Sequence, residues 1–282
     1  NDFIFSSNDF VNSKGISSNY QLLLKNSNDY IDKSVPTGED KNYNLYGTFK
    51  LDAKLPMQKR IDNYTHYLNP ILSFRYSPNG NDNLSSEDIK LNYNNVFELN
   101  RINSTTEVEG GEAVSIGLDF QRKNNIGKNI VDFKVANVLR LNENNNLPSK
   151  SKLNKTRSDI FGELKYKLNE YSSLGYNFSY DSNLKYTNLD QVNLEFGVNN
   201  FLTNFYYYSE DNDFGDAKNF RNKTDISLDK ENKFSFEYSK DLNADFTQYY
   251  DLIYTYQTDC ISFNLNYNKW FYRDGNLEPN KS

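Results

Sequence analysis

The sequence predicts an all-β fold, an antiparallel transmembrane β-barrel present as an open fragment of about fourteen meander strands. Three observations predict it: apolar and polar residues alternate with a period of two, aromatic residues abound despite low hydropathy, and short and long connections take turns. The chain has 282 residues, of which 37% are hydrophobic and 16% aromatic, with 23 Tyr and 20 Phe. Mean hydropathy is −0.85. Disordered chains share such hydropathy but are poor in aromatics. A fold with one wet face and one aromatic-rich face reconciles the two facts.

The strands follow in order. The first two, 2–11 and 16–26, flank the turn Asn12–Gly15. The third, 43–56, sets Leu45, Gly47, Phe49, Leu51, Ala53 and Leu55 on one phase against Asn44, Tyr46, Thr48, Lys50, Asp52 and Lys54 on the other. Successive strand side chains point to opposite faces, so one face is apolar and the other charged. Strands 64–77, 109–122 and 129–141 come next, and 157–168 separates Ile160, Gly162, Leu164 and Tyr166 from Glu163, Lys165 and Lys167. After 172–181, strand 187–198 opposes Val192, Leu194, Phe196 and Val198 to Asn193, Glu195, Gly197 and Asn199. Strands 201–209, 221–229, 233–240 and 248–257 precede the last, 260–271, where Ile261, Phe263, Leu265 and Tyr267 interleave with Ser262, Asn264, Asn266 and Asn268. Most are about 9–13 residues long, as a tilted strand needs to cross a bilayer; strands of soluble sandwiches run nearer 5–6.

The connections sort into two sets. Asn12–Gly15, Met57–Asn63, Lys123–Lys128, Asn169–Tyr171, Asn199-Asn200, Lys230–Asn232 and Thr258-Asp259 are short. Ser27–Asn42, Ser77–Val108, Asn142–Thr156, Ser182–Tyr186, Ser209–Phe220 and Asp241–Thr247 are longer, and the sets alternate along the chain. Short periplasmic turns against longer external loops are the asymmetry of outer-membrane barrels. That parity puts the Thr258-Asp259 turn on the periplasmic side and sends the last strand outward. With no initiator Met and a start inside a strand, the expectation is a domain truncated at both ends.

The net charge of −6 leaves no basic footprint for nucleic acid. No run approaches 18 apolar residues, so a transmembrane helix is excluded but a barrel is not. Catalytic constellations are not expected. His66 lacks an assignable Ser/Asp partner set and reads as a polar strand residue. Glu163, Glu195, Glu237 and Asp251 sit on polar phases and read as lumen lining. Gly110-Gly111 has no following helix and is not a phosphate loop. With one His and one Cys, no structural metal site is expected, and no cofactor is. The cations Lys150, Lys152, Lys155 and Arg157 could meet lipid phosphates, or simply be solvated.

Three segments resemble the LptD family of outer-membrane lipopolysaccharide-assembly proteins, its alphaproteobacterial members above all. One is His66–Pro70 leading into Leu72–Pro78, similar to the family's strand with an internal proline, Pro70 here. The next is Phe97–Ile102 with Asn100 and Arg101, then Glu109-Gly110-Gly111 and a strand through Gly117-Leu118, similar to an Asn-Arg pair before a glycine-marked strand. The last is Tyr249–Tyr256, Asp259-Cys260, Phe271–Asp274 and Leu277–Pro279, which resembles the family's last hairpin. Two features depart from the pattern: Asn103–Glu107 replaces a glycine with an acidic-basic pair, and one cysteine stands where some members have two.

The resemblance implies that residues 1–282 are the C-terminal portion of a barrel of about twenty-six strands, the upper end of the bacterial range. It implies lipopolysaccharide as the cargo, a plug lipoprotein of the LptE type, and a periplasmic Lpt bridge reached through an N-terminal jellyroll. It also implies that Cys260 forms a disulfide with a cysteine outside this sequence, feasible in an oxidising periplasm. A passive porin, in which the loop 77–108 would fold into the lumen, and a TonB-type nutrient receptor are the alternatives. An outer-membrane enzyme and a soluble or surface β-structure are further readings.

Overall fold

The computed structural model describes residues 1–31, 40–78 and 83–271. Its strands are β1 (Asp2–Ser6), β2 (Phe10–Val11), β3 (Ser17–Ile31), β4 (Asp40–Lys54), β5 (Met57–Ile61), β6 (Tyr64–Ser77), β7 (Gly111–Asn124) and β8 (Asn129–Arg140). There follow β9 (Arg157–Lys167), β10 (Ser172–Tyr180), β11 (Thr187–Val198), β12 (Phe201–Glu210), β13 (Ala217–Ser227), β14 (Asn232–Asp241), β15 (Phe246–Gln257) and β16 (Ser262–Trp270). One 3-10 turn, Lys150–Lys152, is the only helical element among the described residues. All sixteen strands join one antiparallel meander sheet, with β2 beside β3 and β5 beside β6 off the main path and β1 and β16 at its edges.

The two strands beyond the expected fourteen come from local breaks. Between β1 and β2 the pairing slips by one residue, and the Ser7 hydroxyl accepts the Tyr20 N–H that a carbonyl would otherwise take. Met57–Ile61, expected within a turn, is a strand: the turn shrinks to Asp62-Asn63, with Asp62 at φ 50. The register across β6 is continuous from Lys54 facing Ile71 to Met57 facing Leu68. Only the hydrogen bonding is interrupted. Leu55 donates to the Pro70 carbonyl (3.1 Å), and Pro70 has no N–H to return the bond. Pro56 lies past Ser17, where β3 has not yet begun, so no neighbour lacks its N–H.

Other boundaries move modestly. β7 starts at Gly111, leaving Glu109 and Gly110 in the preceding loop, and β13 starts at Ala217. Strands β3 and β4 reach into the loop expected at 27–42, whose residues 32–39 lie outside the described residues. Short and long connections alternate as far as β14, but the connection expected to be longer at 241–247 shrinks to 242–245, no longer than 228–231 before it or 258–261 after it.

The chain divides into two compact units, residues 1–163 with 179–186, and residues 164–178 with 187–282. The first is inside-out by the standards of a soluble protein. Lys25, Thr48, Lys50, Asp52, Ser73, Arg75, Ser115 and Arg140 are buried, whereas Phe49, Leu51, Leu72 and Ile116 are exposed. Register places these on opposite faces: Lys50 faces Arg75 and Asp52 faces Ser73, while Leu51 faces Phe74 and Leu72 faces Ile116.

In the second unit Leu194, Phe196, Phe205, Phe236, Leu252, Phe263, Leu265 and Tyr267 are exposed on the apolar face. Rings meet across it, Phe205 with Phe220 and Phe236 with Tyr250. The polar intruders on that face satisfy one another: Asn222 donates to Thr203 Oγ1 (2.9 Å) and to the Asn204 carbonyl, and Thr224 donates to Asn222. A face turned to hydrocarbon requires such closure, because no water is there to complete it.

Candidate functional site

The polar face of the first unit is covered by its own long loop, residues 78–110, of which 83–110 are described beyond Pro78. The β7 phase beneath it is narrow: Ala113, Ser115 and Gly117 offer small side chains or none. Phe97 packs onto Gly117 so closely that an added Cβ would lie 2.4 Å from its ring. Ser115 Oγ donates to the Val96 carbonyl (3.0 Å). Further along, the Tyr93 hydroxyl donates to Asp119, and Lys134 lies 5.6 Å over the Tyr93 ring. From Ala113 to Asp119 is about 20 Å of strand at ~3.3 Å per residue, so the loop runs well down the sheet. An apolar contact completes the seat: loop residues Val108 and Leu99 pack on Leu23 and Tyr46.

The loop is pinned by a buried charge cluster. Lys50, Arg75, Ala113 and Arg140 form one row across β4, β6, β7 and β8. Over it sits Glu109, with no exposure. Arg101 donates to Glu109 from Nε (2.7 Å) and from its terminal nitrogen, a two-pronged contact, and to Ser115 Oγ (3.0 Å). Arg140 donates to Glu109 and to the Gly110 carbonyl (2.6 Å). Arg75 approaches the same carboxylate at 3.8 Å and donates to the Leu99 carbonyl. Burial alone would push the Glu109 carboxyl up; Arg101, Arg75 and Arg140 outweigh it and hold it near 2.

The residues singled out by family resemblance fall into this picture unevenly. Arg101 is central to the cluster. Asn100 ties the loop to itself, donating to the carbonyls of Ser104 and Glu107 (3.2 Å each). Gly110 supplies a carbonyl to Arg140. Gly111 sits at φ +91, and a Cβ there would come within 2.7 Å of the Arg140 guanidinium. Pro70 stands apart, explaining the ladder gap opposite Leu55. Cys260 is an exposed thiol in the turn between β15 and β16, and Tyr272–Pro279 of the last motif lie outside the described residues. Arg75 and Arg140 were not singled out as site residues.

Of the cations Lys150, Lys152, Lys155 and Arg157, the first three make ion pairs within the protein. Lys150 pairs with Asp88 (2.6 Å), Lys155 with Glu143 (3.0 Å), and Lys152 with Asp181. Leu91 N–H donates to Ser151 Oγ (2.8 Å), locking the 141–156 connection onto the 83–110 loop. The His66 ring lies tilted 5.9 Å from that of Phe120, and His66 faces Arg122 across the sheet. Among the described residues no group of His, Cys, Asp and Glu is arranged to hold a metal.

The model of the family described as LptD, LPS transport system D, matches residues 17–229. The chain belongs to the LptD family. The matched span contains the infolded loop, all the residues of the Glu109 cluster and Pro70. It ends before the β15–β16 hairpin, so the resemblance around Cys260 is not part of it. No curated protein matches the chain. Among solved structures, one from the FpvAI–pyocin S2 complex is similar at a TM-score of 0.31 and 10% identity, over 89% of this chain and 42% of the matched one. The chain therefore spans less than half the length of that structure.

Proposed function

We propose that this LptD-family chain forms part of the wall of an outer-membrane β-barrel that assembles lipopolysaccharide into the outer leaflet. The family match over 17–229 carries the reading. The inverted sheet supports it, because exposed Phe49, Leu51 and Leu72 and buried Lys50 and Arg75 suit a wall between hydrocarbon and a polar lumen. In this reading the cargo is lipopolysaccharide, a lipoprotein of the LptE type occupies the lumen, and a periplasmic Lpt bridge delivers the lipid. The chain performs transport and no covalent step. Cys260, exposed beside a turn on the short-connection side, is proposed to bond a cysteine elsewhere in the full-length protein.

A passive pore is the other reading, which the family match does not favour. The loop that runs down the polar face resembles the constriction of a passive pore. Depleting the protein in its own cells separates the two. Lipopolysaccharide assembly predicts loss of lipopolysaccharide from the cell surface and a leaky envelope. Unchanged surface lipopolysaccharide with slower uptake of small solutes would establish the pore instead. For Cys260, non-reducing gels of the full-length protein should show a mobility change in Cys260→Ser; an alkylatable thiol in the unaltered protein would remove the bridge.

A further inference from the structure

The polar face of the second unit carries a concave site that the loop cluster does not touch. It encloses about 540 Å³ over β9 to β14. Register builds it from rows of polar residues: Asn193 faces Tyr206, Tyr206 faces Arg221, Asn204 faces Lys223, and Lys223 faces Glu237. Lys165 completes the lining, so three cations share the cavity with one carboxylate.

That carboxylate is already engaged. Tyr249 donates its hydroxyl to Glu237 (2.6 Å), and Arg221 lies 3.9 Å from it. Arg221 also lies 5.2 Å over the Tyr206 ring, whose hydroxyl accepts from Gln191 Nε2 (2.7 Å). Other donors remain open: among the described residues the side chains of Lys223, Asn193 and Asn204 have no hydrogen-bond partner.

The combination is chemically specific. Cations on adjacent strand positions suit a phosphate, and Arg offers it a planar fork. Primary amides with donor and acceptor on one group suit vicinal hydroxyls. An aromatic ring among them gives a sugar face something to lie on. We propose that this cavity is a binding subsite for a phosphorylated saccharide, with Arg221 and Lys223 on the phosphate and Asn193, Asn204 and Tyr206 on the sugar. The subsite rests on the polar face being the path of a glycolipid, and adds where on that face the headgroup pauses.

The full-length protein in detergent, with its lipoprotein partner, is titrated with glucosamine 1-phosphate, glucosamine and inorganic phosphate, followed by saturation-transfer NMR. The sugar phosphate should bind at least about 10-fold more tightly than either fragment, with an affinity that falls as salt rises. Arg221→Gln with Lys223→Gln should weaken it about 10-fold or more, and Arg221→Lys with Lys223→Arg should retain most of it. Tyr206→Ala should weaken the sugar phosphate while leaving inorganic phosphate unchanged. Circular dichroism confirms that each variant is folded. Absence of saturable binding, or equal binding by the Gln variant, overturns the subsite. Equal affinity for inorganic phosphate overturns the saccharide assignment. Either result can coexist with loss of surface lipopolysaccharide on depletion, so failure here is distinct from failure of the transport reading.

Discussion

Glu109 is the residue on which the first unit's loop depends most. Three arginines converge on its carboxylate, and removing the carboxylate leaves buried positive charge with nothing to oppose it. Breaking a buried ion pair on one side costs about 3–5 kcal/mol. Glu109→Ala should therefore release the loop, read as new protease cleavage within 83–110 while the strands stay protected. Acid should do the same more gently. The folded carboxyl is held near 2, below its ordinary value of 4.5, so its contribution is complete above pH 4.5 and is lost as pH falls toward 2. Loop amide protection, taken relative to the intrinsic exchange rate at each pH, should fall below pH 4.5; protection that stays constant down to pH 2 would contradict the assignment. Gly111→Ala is predicted to loosen the same corner, because Arg140 occupies the space its Cβ would need and φ +91 disfavours any side chain.

At the scale of elements, strand positions were legible because a sheet with two unlike faces imposes period two on nearly every residue. What the pattern did not carry was the hydrogen-bond break at Pro70. Between Pro56 and Asp62-Asn63 the polar run Gln58-Lys59-Arg60 breaks the alternation, so Met57–Ile61 reads as part of a turn. The other two arginines on Glu109 were hidden for a different reason. Arg75 and Arg140 are two polar-phase residues among many, and only register brings them into one row. A signal for the loop's path did exist. Gly111, Ala113, Ser115 and Gly117, four small residues in succession on a phase that continues as Asp119, Gln121 and Lys123, mark a lane for something to lie in.

The two faces lead to opposite expectations for substitution. Phe196, exposed on the apolar face of β11, should tolerate charge poorly, with Phe196→Arg costing about 2–4 kcal/mol near the bilayer midplane. Its neighbour Glu195, on the polar phase, should accept Gln with little change. Refolding into lipid vesicles across a urea series measures both, and equal losses would mean the faces are misassigned. Lys50 is a poorer control, since it is buried against Asp52 (2.7 Å) under the loop region.

At the scale of the whole molecule, LptD-family membership and the exposed apolar face converge from independent directions. The first comes from sequence likeness over 17–229. The second comes from burial alone, in which charged side chains are inside and aromatic ones outside. A membrane-facing surface is tested most directly by spin labels placed singly along β15, from Tyr249 to Gln257, in Cys260→Ser full-length protein reconstituted in bilayers. Labels at 250, 252 and 254 should be relaxed by oxygen, which concentrates in hydrocarbon, and those at 251, 253 and 255 by a water-soluble nickel chelate. Uniform access to the chelate along the strand, or alternation in the opposite phase, would contradict a wall standing between lipid and a polar interior.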